Sequence, residues 1–484
     1  MYTNELDDQG WQFISKLIKF LHKEEMAAED DEGYFGTLYS NVLRFAGNRR
    51  LLDIFVKVIE KRNVVEEKKP AEMSISHDSL NSLNSDQKAV IIKALNLTDH
   101  LVVLGMPGTG KSLTISVLIQ ILAEQGKRVL LAGFTNNSID NILLKLPPEF
   151  AFLRVGNIER IHPKVRCKSA SNIPNEIRTV LQLDNYYKSV EVIATTCLSM
   201  NHSIFVDNHF DICIIDEASQ ISIPAIISPL LMADKFILVG DHFQLSPLTK
   251  STFAKESGMS KSLFEFMIEA DPASVSKLSI QYRMNQSIMQ LSNTLVYNNS
   301  LTCGSSCIAK AQLKMLYKTT DIGWLNECLN PEMAVVFLDT DNICATQECH
   351  QKSLLNRKEA EIVQTVALNL MAQNVDARDI GVISPYKSQT MAIRDLMNNS
   401  DVEVSTIDSF QGRDKECIII SFVKSTKGQN DTSSEFMNDS QRINVALTRA
   451  KTKLIMIGSK STLVQYPMMS SLISMLNSQI ISIV

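Results

Sequence analysis

The chain has 484 residues, 45% of them hydrophobic and 21% charged. That is a globular balance which excludes a disordered chain and leaves room for about three domains. A formal net charge of −5 excludes a protein that coats nucleic acid through sheer positive charge, but not a narrow channel of amides, hydroxyls and a few bases.

The acidic start, Met1 to Asp8, lacks the basic and apolar regions of a signal peptide. No apolar run approaches the ~20 residues that span a bilayer. Nine scattered cysteines fit a reducing compartment, so a soluble intracellular protein is expected. Residues 1–79 are expected to form an N-terminal helical segment. Trp11 to Leu21 has helical spacing, with Phe13, Ile14, Leu17, Ile18 and Leu21 on one face. Leu51 to Ile59 repeats the pattern. The charge runs Glu24–Glu32 and Glu60–Lys69 read as solvated helix ends and a linker. Glu67-Lys68-Lys69 imitates the Glu-x-Lys of some nucleases, but without a strand or a partner Asp it reads as surface charge.

From Leu80 onward, short apolar strands alternate with helical stretches. Strands are expected at Leu101–Leu104, Val129–Gly133, Val192–Thr195, Ile212–Ile215 and Phe236–Val239. A second series is expected at Val335–Leu338, Gly381–Ser384, Val402–Ser405, Cys417–Val423 and Leu454–Gly458. Near-continuous apolar strands separated by helices mean parallel sheet covered on both faces. Two series in tandem predict two α/β domains, at 80–275 and 276–484.

Leu101-Val-Val-Leu runs directly into G-M-P-G-T-G-K-S, Gly105 to Ser112, and then into the apolar stretch Leu113–Leu122. This is the strand–loop–helix setting that the G-x-x-x-x-G-K-[ST] phosphate loop requires. Gly105, Pro107, Gly108, Thr109 and Gly110 wrap the chain so that N–H groups face phosphate, and the helix N-terminus adds its positive end. Lys111 would reach the β- and γ-phosphates and Ser112 would ligate Mg²⁺. The apolar run Phe210 to Ile215 ends in Asp216-Glu217. Asp216 is placed to hold Mg²⁺ through water, and Glu217 to orient and deprotonate the attacking water. ATP and Mg²⁺ are the expected cofactors, and hydrolysis the expected chemistry.

Three later segments carry a resemblance: Leu238-Val-Gly-Asp241-His-Phe-Gln244, Leu278-Ser-Ile-Gln281-Tyr282-Arg283-Met284, and Ile443-Asn-Val-Ala-Leu-Thr-Arg449. With Asp216-Glu-Ala-Ser-Gln220 they resemble the motifs of superfamily-one helicases of the 5′→3′ branch. That branch includes the nonsense-mediated-decay RNA helicases and the eukaryotic DNA-replication helicase/nucleases. The runs Phe134 to Leu146, Gln281 to Ser305, Asp408 to Lys415 and Ser421 to Ser425 resemble the helicase half of the helicase/nucleases. The resemblance covers Leu80 to the C-terminus; the nuclease pattern of that family is not found, and no nuclease activity is expected.

The resemblance implies two tandem RecA-like domains with ATP between them, preceded by a stalk-like segment. It implies that Gln87 reads the adenine edge, Tyr282 stacks on adenine, Gln244 senses the γ-phosphate, Gln411 lies beside the nucleotide and Asp414 near the ribose. Arg283 and Arg449 would act as arginine fingers, each worth roughly 10³–10⁵ in kcat. Strand-end residues are candidate nucleic-acid contacts, with helix capping as the rival role for each: Thr135, Asn136, Asn137, Thr195 and Thr196, then Pro385, Tyr386, Gln389, Ser405 and Thr406. Cys303, Cys307, Cys344 and Cys349 are spaced too loosely for a metal knuckle and read as buried thiols. The expected activity is a nuclear 5′→3′ DNA helicase acting in replication or repair as a monomer on single-stranded DNA. A single-strand-binding protein or a separate nuclease is the kind of protein partner expected. An RNA track, or a helicase-like ATPase without independent unwinding, is the alternative.

Overall fold

The computed structural model describes residues 8–28, 32–59, 78–256, 258–350, 353–398, 400–426 and 435–483. The stretch 60–69, including Glu67-Lys68-Lys69, lies outside them. The chain forms two compact units: residues 1–106, 110–242 and 246–278, and residues 107–109, 243–245 and 279–484.

The first unit is built on a seven-stranded, wholly parallel sheet. Its order is Leu153–Arg154, Val192–Thr196, Val129–Gly133, Phe210–Asp216, Ala233–Gly240, His100–Gly105, Val275–Leu278. Successive side chains of a strand point to opposite faces, and both faces here are covered. Val102 and Leu104 join one apolar cluster while Leu101 and Val103 join another. That explains strands that read as unbroken apolar runs. Helices Ser85–Leu95, Lys111–Glu124 and Asn136–Leu143 cover the second face.

Three helices, Asp8–Ala28, Glu32–Ala46 and Arg49–Ile59, pack on the first face. Ile14, Leu17 and Leu21 are buried as the periodicity predicts, but Ile18 is 37% exposed. It lies one residue beyond the buried stripe. The middle helix starts inside an acidic run and was not expected. Phe35, Leu38, Val42 and Phe45 line its inner face, and Asn41 donates to the Pro224 carbonyl at 3.1 Å.

The second unit carries a six-stranded parallel sheet in the order Glu403–Thr406, Ile380–Ser384, Lys415–Ser421, Ala450–Gly458, Val335–Asp339, Ile480–Ser482. Helix Arg357–Ala372 covers one side through Val363, Val366 and Leu370. The two α/β units are RecA-like domains in tandem.

His100, at the start of the phosphate-loop strand, stacks on Phe236. Its Nε2 lies 3.0 Å from Asp271 and its Nδ1 3.6 Å from Asp99. Burial opposes the imidazolium, but the two carboxylates outweigh it and raise the His100 pKa above its ordinary value. A raised histidine pKa stabilises the fold below about pH 6.5, and that stability is lost as pH climbs through the raised value. We therefore expect the wild-type melting temperature to fall, relative to that of His100→Gln, by a few degrees between pH 6 and 8.5. Parallel pH profiles of the two proteins would remove this histidine from the account.

Candidate nucleotide and nucleic-acid sites

The carboxyl ends of the parallel strands, where open α/β sheets bind ligands, hold the first unit's polar residues. The phosphate-loop strand ends at Gly105 and helix Lys111–Glu124 begins at once, so the chain must turn sharply. Gly108 and Gly110 take φ of 74° and 81°, a region open to glycine at little cost. Gly110 caps the helix without a side-chain bond, which leaves the first N–H groups for an incoming anion. The Lys111 stem packs against Gly105 and its Nζ donates to the Gly105 carbonyl at 2.7 Å. Thr109 is buried, while Pro107 and Ser112 complete the turn.

Gln87 lies directly over this loop: a Cβ added at Gly110 would sit 2.6 Å from its Nε2. A reciprocal cap fixes it, with Gln87 Oε1 accepting from the Asn84 N–H at 3.0 Å and Asn84 Oδ1 accepting from the Gln87 N–H at 2.9 Å. The carboxamide is therefore held in place before any ligand arrives.

Strand Ala233–Gly240 lies between the phosphate-loop strand and the acidic strand, so the latter delivers Asp216 one strand removed from the loop. Asp216 is buried and its Oδ1 has no hydrogen-bond partner. Burial, and then the adjacent Glu217, raise its pKa to about 7 against the opposing charge of Lys111. A buried acceptor with no partner is costly, and a cation would satisfy it. Glu217 adopts φ 53°, unusual for a residue with a Cβ and the kind of strain found at functional sites. Gln220 Nε2 donates to its Oε2 at 2.9 Å. The donor set fits a nucleotide phosphate with a divalent metal.

In the second unit, two arginines far apart in sequence converge. Arg283 Nε pairs with Asp414 at 3.1 Å and its Nη1 donates to the Thr448 carbonyl at 3.3 Å. Arg449 is 2% exposed. Its Nε donates to Val445 O at 3.0 Å, and its Nη2 to Thr448 Oγ1 at 3.0 Å and to Gln244 Oε1 at 3.4 Å. Gln244 is thus joined to an arginine finger candidate. Lys451 also reaches Asp414, at 3.0 Å. Burial works against the Asp414 carboxylate, but Arg283 and Lys451 prevail and hold its pKa below the ordinary value.

Gln411 carries a buried Nε2 with no acceptor. The Tyr282 ring, 44% exposed, lies against Gly304 and its N–H donates to the Gly108 carbonyl at 2.9 Å. Gln281, which sequence assigns no role beyond its motif, accepts through Oε1 from both Arg283 and Met284 N–H groups at 2.8 Å. It sets the turn that aims Arg283. Its place just before Tyr-Arg was the available signal.

The candidate nucleic-acid residues divide. Gly133 stands in register with Thr196 and Asp216, so the residues after it lie along the same sheet edge. Thr135 and Asn137 are exposed and Asn136 half-buried; Thr135 also caps helix Asn136–Leu143. Thr196 bonds Ser199 at 2.8 Å. In the second sheet Ser384 is level with Thr406, and Ile383 with Ser405. Pro385 and Thr406 are half-buried, whereas Tyr386 and Ser405 are buried. Thr195 and Gln389 are fully enclosed, contrary to expectation. Gln389 accepts from Asn356 N–H at 2.8 Å and donates to Asn356 O at 3.0 Å and Ser421 Oγ at 3.1 Å. Gln389 is an internal brace, while the Thr195 hydroxyl bonds only the neighbouring Thr196 carbonyl.

Two family profiles, each described as an AAA domain, match residues 82–184 with 172–252 and residues 259–461. The DNA replication ATP-dependent helicase/nuclease of Arabidopsis thaliana is 44% identical over 401 residues, covering 82% of this chain and 30% of the relative. Its human counterpart is 40% identical over 422 residues, 83% of this chain and 39% of the relative. That of Xenopus laevis is 37% identical over 506 aligned positions, 99% of this chain and 48% of the relative. Over 82–99% of its own length the chain is similar to part of the DNA replication helicase/nucleases. It spans less than half the length of the relatives it matches. Among the described residues no group of three His, Cys, Asp or Glu side chains could hold a metal ion. The cysteines do not behave as buried thiols throughout. Cys307, Cys344 and Cys349 are exposed and Cys303 is half-buried. Cys307 sits on a one-turn surface helix, Ser306–Ala309, and Cys349 on the exposed strand Glu348–His350, where no core was available to enclose them. Among the described residues no helix is long and apolar enough to cross a membrane.

Proposed function

We propose that the chain is the motor of a 5′→3′ DNA helicase that hydrolyses ATP with Mg²⁺ while moving along single-stranded DNA, in the nucleus and as a monomer. Two groups of residues, one within each unit, carry the reading. Lys111, the partnerless Asp216 oxygen and Glu217 stand in the first; Arg283 and Arg449, converging on Thr448, stand in the second.

Lys111 and the loop N–H groups grip the β- and γ-phosphates, Gln87 and Tyr282 hold the adenine, and Glu217 takes the proton of the attacking water. Ser112 and Asp216 would hold Mg²⁺, which neutralises charge on the phosphate oxygens. Arg283, Arg449 and Gln244 serve the γ-phosphate, and Gln411 and Asp414 lie on the nucleotide side. Thr135, Asn136, Asn137, Thr196, Pro385, Tyr386, Ser405 and Thr406 track the phosphates of the strand. A single-strand-binding protein or a nuclease elsewhere would act beside this motor.

ATPase rates measured with matched single-stranded DNA and RNA oligomers test the track. We expect DNA to stimulate turnover at least about tenfold more than RNA, because only contacts at the 2′ position can separate them. Equal stimulation would assign an RNA track. Unwinding of duplexes with a 5′ tail but not a 3′ tail tests direction; unwinding from the 3′ tail would overturn it.

A further inference from the structure

Arg154 is fully enclosed on the edge strand Leu153–Arg154, and each of its three guanidinium nitrogens donates a hydrogen bond. Its Nε donates to Asp140 Oδ1 at 2.8 Å, its Nη1 to the Val155 carbonyl at 2.5 Å and its Nη2 to Asn136 Oδ1 at 2.6 Å. The other Asp140 oxygen accepts from the His162 N–H at 2.8 Å, so the buried carboxylate is satisfied too. Gly156 leaves the space this needs: a Cβ there would stand 3.2 Å from Arg154 Nη1 and 3.9 Å from Asn136 Oδ1.

A guanidinium has five donors and no acceptor. Whatever else Asn136 does, the end of its carboxamide that meets Arg154 must be the oxygen. Its NH₂ is thereby turned away from Arg154, and among the described residues no acceptor for it is found. Asn136 opens helix Asn136–Leu143 beside the exposed Thr135 and Asn137, so a donor is added to a helix end where the Thr135 side chain already accepts from the Ser138 N–H.

We propose that Arg154 is a positioning residue that fixes the polarity of Asn136, so that this sheet edge offers a phosphate of the bound strand donors only. An unrestrained asparagine would present its oxygen half the time and repel the same phosphate. The inference rests on the single-strand motor reading above and specifies how one of its contacts is built.

The test compares Asn136→Ala, Asn136→Asp and Arg154→Lys. Binding of a fluorescent single-stranded DNA oligomer and melting temperature are measured on each, with the KM for ATP as control. Asn136→Asp keeps, and by charge strengthens, the bond to Arg154, but turns a carboxylate oxygen to the strand. A merely structural role would make it the milder of the two substitutions at Asn136. We expect the reverse: the alanine variant weakens DNA binding about fivefold and the aspartate variant more than about thirtyfold. The aspartate variant nevertheless melts at or above the alanine variant, and the KM for ATP is unchanged. Arg154→Lys keeps the charge on Asp140 but cannot hold Asn136 at the same time, and should weaken DNA binding severalfold.

Asn136→Asp binding DNA as well as or better than Asn136→Ala would overturn the donor-only edge, even if Arg154→Lys fails to fold. Full DNA affinity in a folded Arg154→Lys protein would overturn the positioning role. No effect of Asn136→Ala would remove that phosphate contact, and the inference with it. Absence of single-strand binding by the wild-type chain would instead sink the motor reading, a result distinguishable from the others.

Discussion

Lys111→Ala should hydrolyse ATP at a rate lower by on the order of 10³, with or without single-stranded DNA, while keeping its fold. The ammonium already stands at the mouth of the phosphate loop, 2.7 Å from the Gly105 carbonyl, where charge develops on the transferring phosphoryl group. Removing one such preorganised donor costs roughly 10²–10³ in kcat. The loss reaches further, because Lys111 is a positive charge that opposes burial and Glu217 at the Asp216 carboxyl. Without it the Asp216 pKa rises further, and the carboxylate form that neutralises a cation becomes less populated. The two losses act in the same direction. Alanine removes a half-buried stem without leaving a buried charge unpaired, so a circular-dichroism melt should move by no more than a few degrees. Lys111→Arg separates charge from shape. Its planar fork cannot enter a pocket packed around a single stem, so it should restore little turnover. A Lys111→Ala protein that hydrolyses ATP at the wild-type rate would end the phosphate-loop assignment.

How much of this was open to a reader of the sequence follows from the range of the forces involved. The phosphate loop was legible because its requirements are local: glycines for positive φ, a strand before and a helix after. The central strands were legible because both sheet faces are covered, and Leu101 to Leu104 leave no alternation to misread. Edge strands were less legible: Glu403–Thr406 was expected within one residue, but Val275–Leu278 sets Ser276 and Lys277 between its apolar ends, and Leu153–Arg154 contains a charge. Helix Glu32–Ala46 begins in a run that reads as solvent-facing, and its burial depends on the sheet and on helix Ile223–Leu230. Side-chain destinations were the least legible. Gln389 looks like any strand-end amide until Asn356 and Ser421 meet it from distant parts of the chain. Arg154 in sequence is one arginine among many; only the fold supplies Asp140 and Asn136 as its partners.

Arg449→Ala is the substitution that separates a nucleotide binder from a motor. We expect it to lower DNA-stimulated kcat by about 10³ or more, the scale of a lost arginine finger, while the affinity for ATP changes by less than about threefold. The split follows from where the side chain sits. Arg449 belongs to the second unit, whereas Lys111 and the N–H groups that open helix Lys111–Glu124 belong to the first. On the proposed function, ground-state binding has its own donors and Arg449 serves the charge that develops as the γ-phosphoryl group leaves. Removing an interaction made only in the transition state lowers kcat and leaves ground-state binding alone. The rival explanation is structural: Arg449 is buried and braces Val445, Thr448 and Gln244, so its loss could loosen the Thr448 turn that also receives Arg283. Arg449→Lys distinguishes the two. It keeps a charge and most of the packing, so stability lost through missing packing should largely return in its melting temperature, whereas hydrolysis that needs the guanidinium should not. Single-turnover hydrolysis at saturating ATP reads the chemical step directly. Wild-type single-turnover rates in Arg449→Ala would show that hydrolysis is completed within the first unit, leaving no chemical link through which movement of the second could be driven.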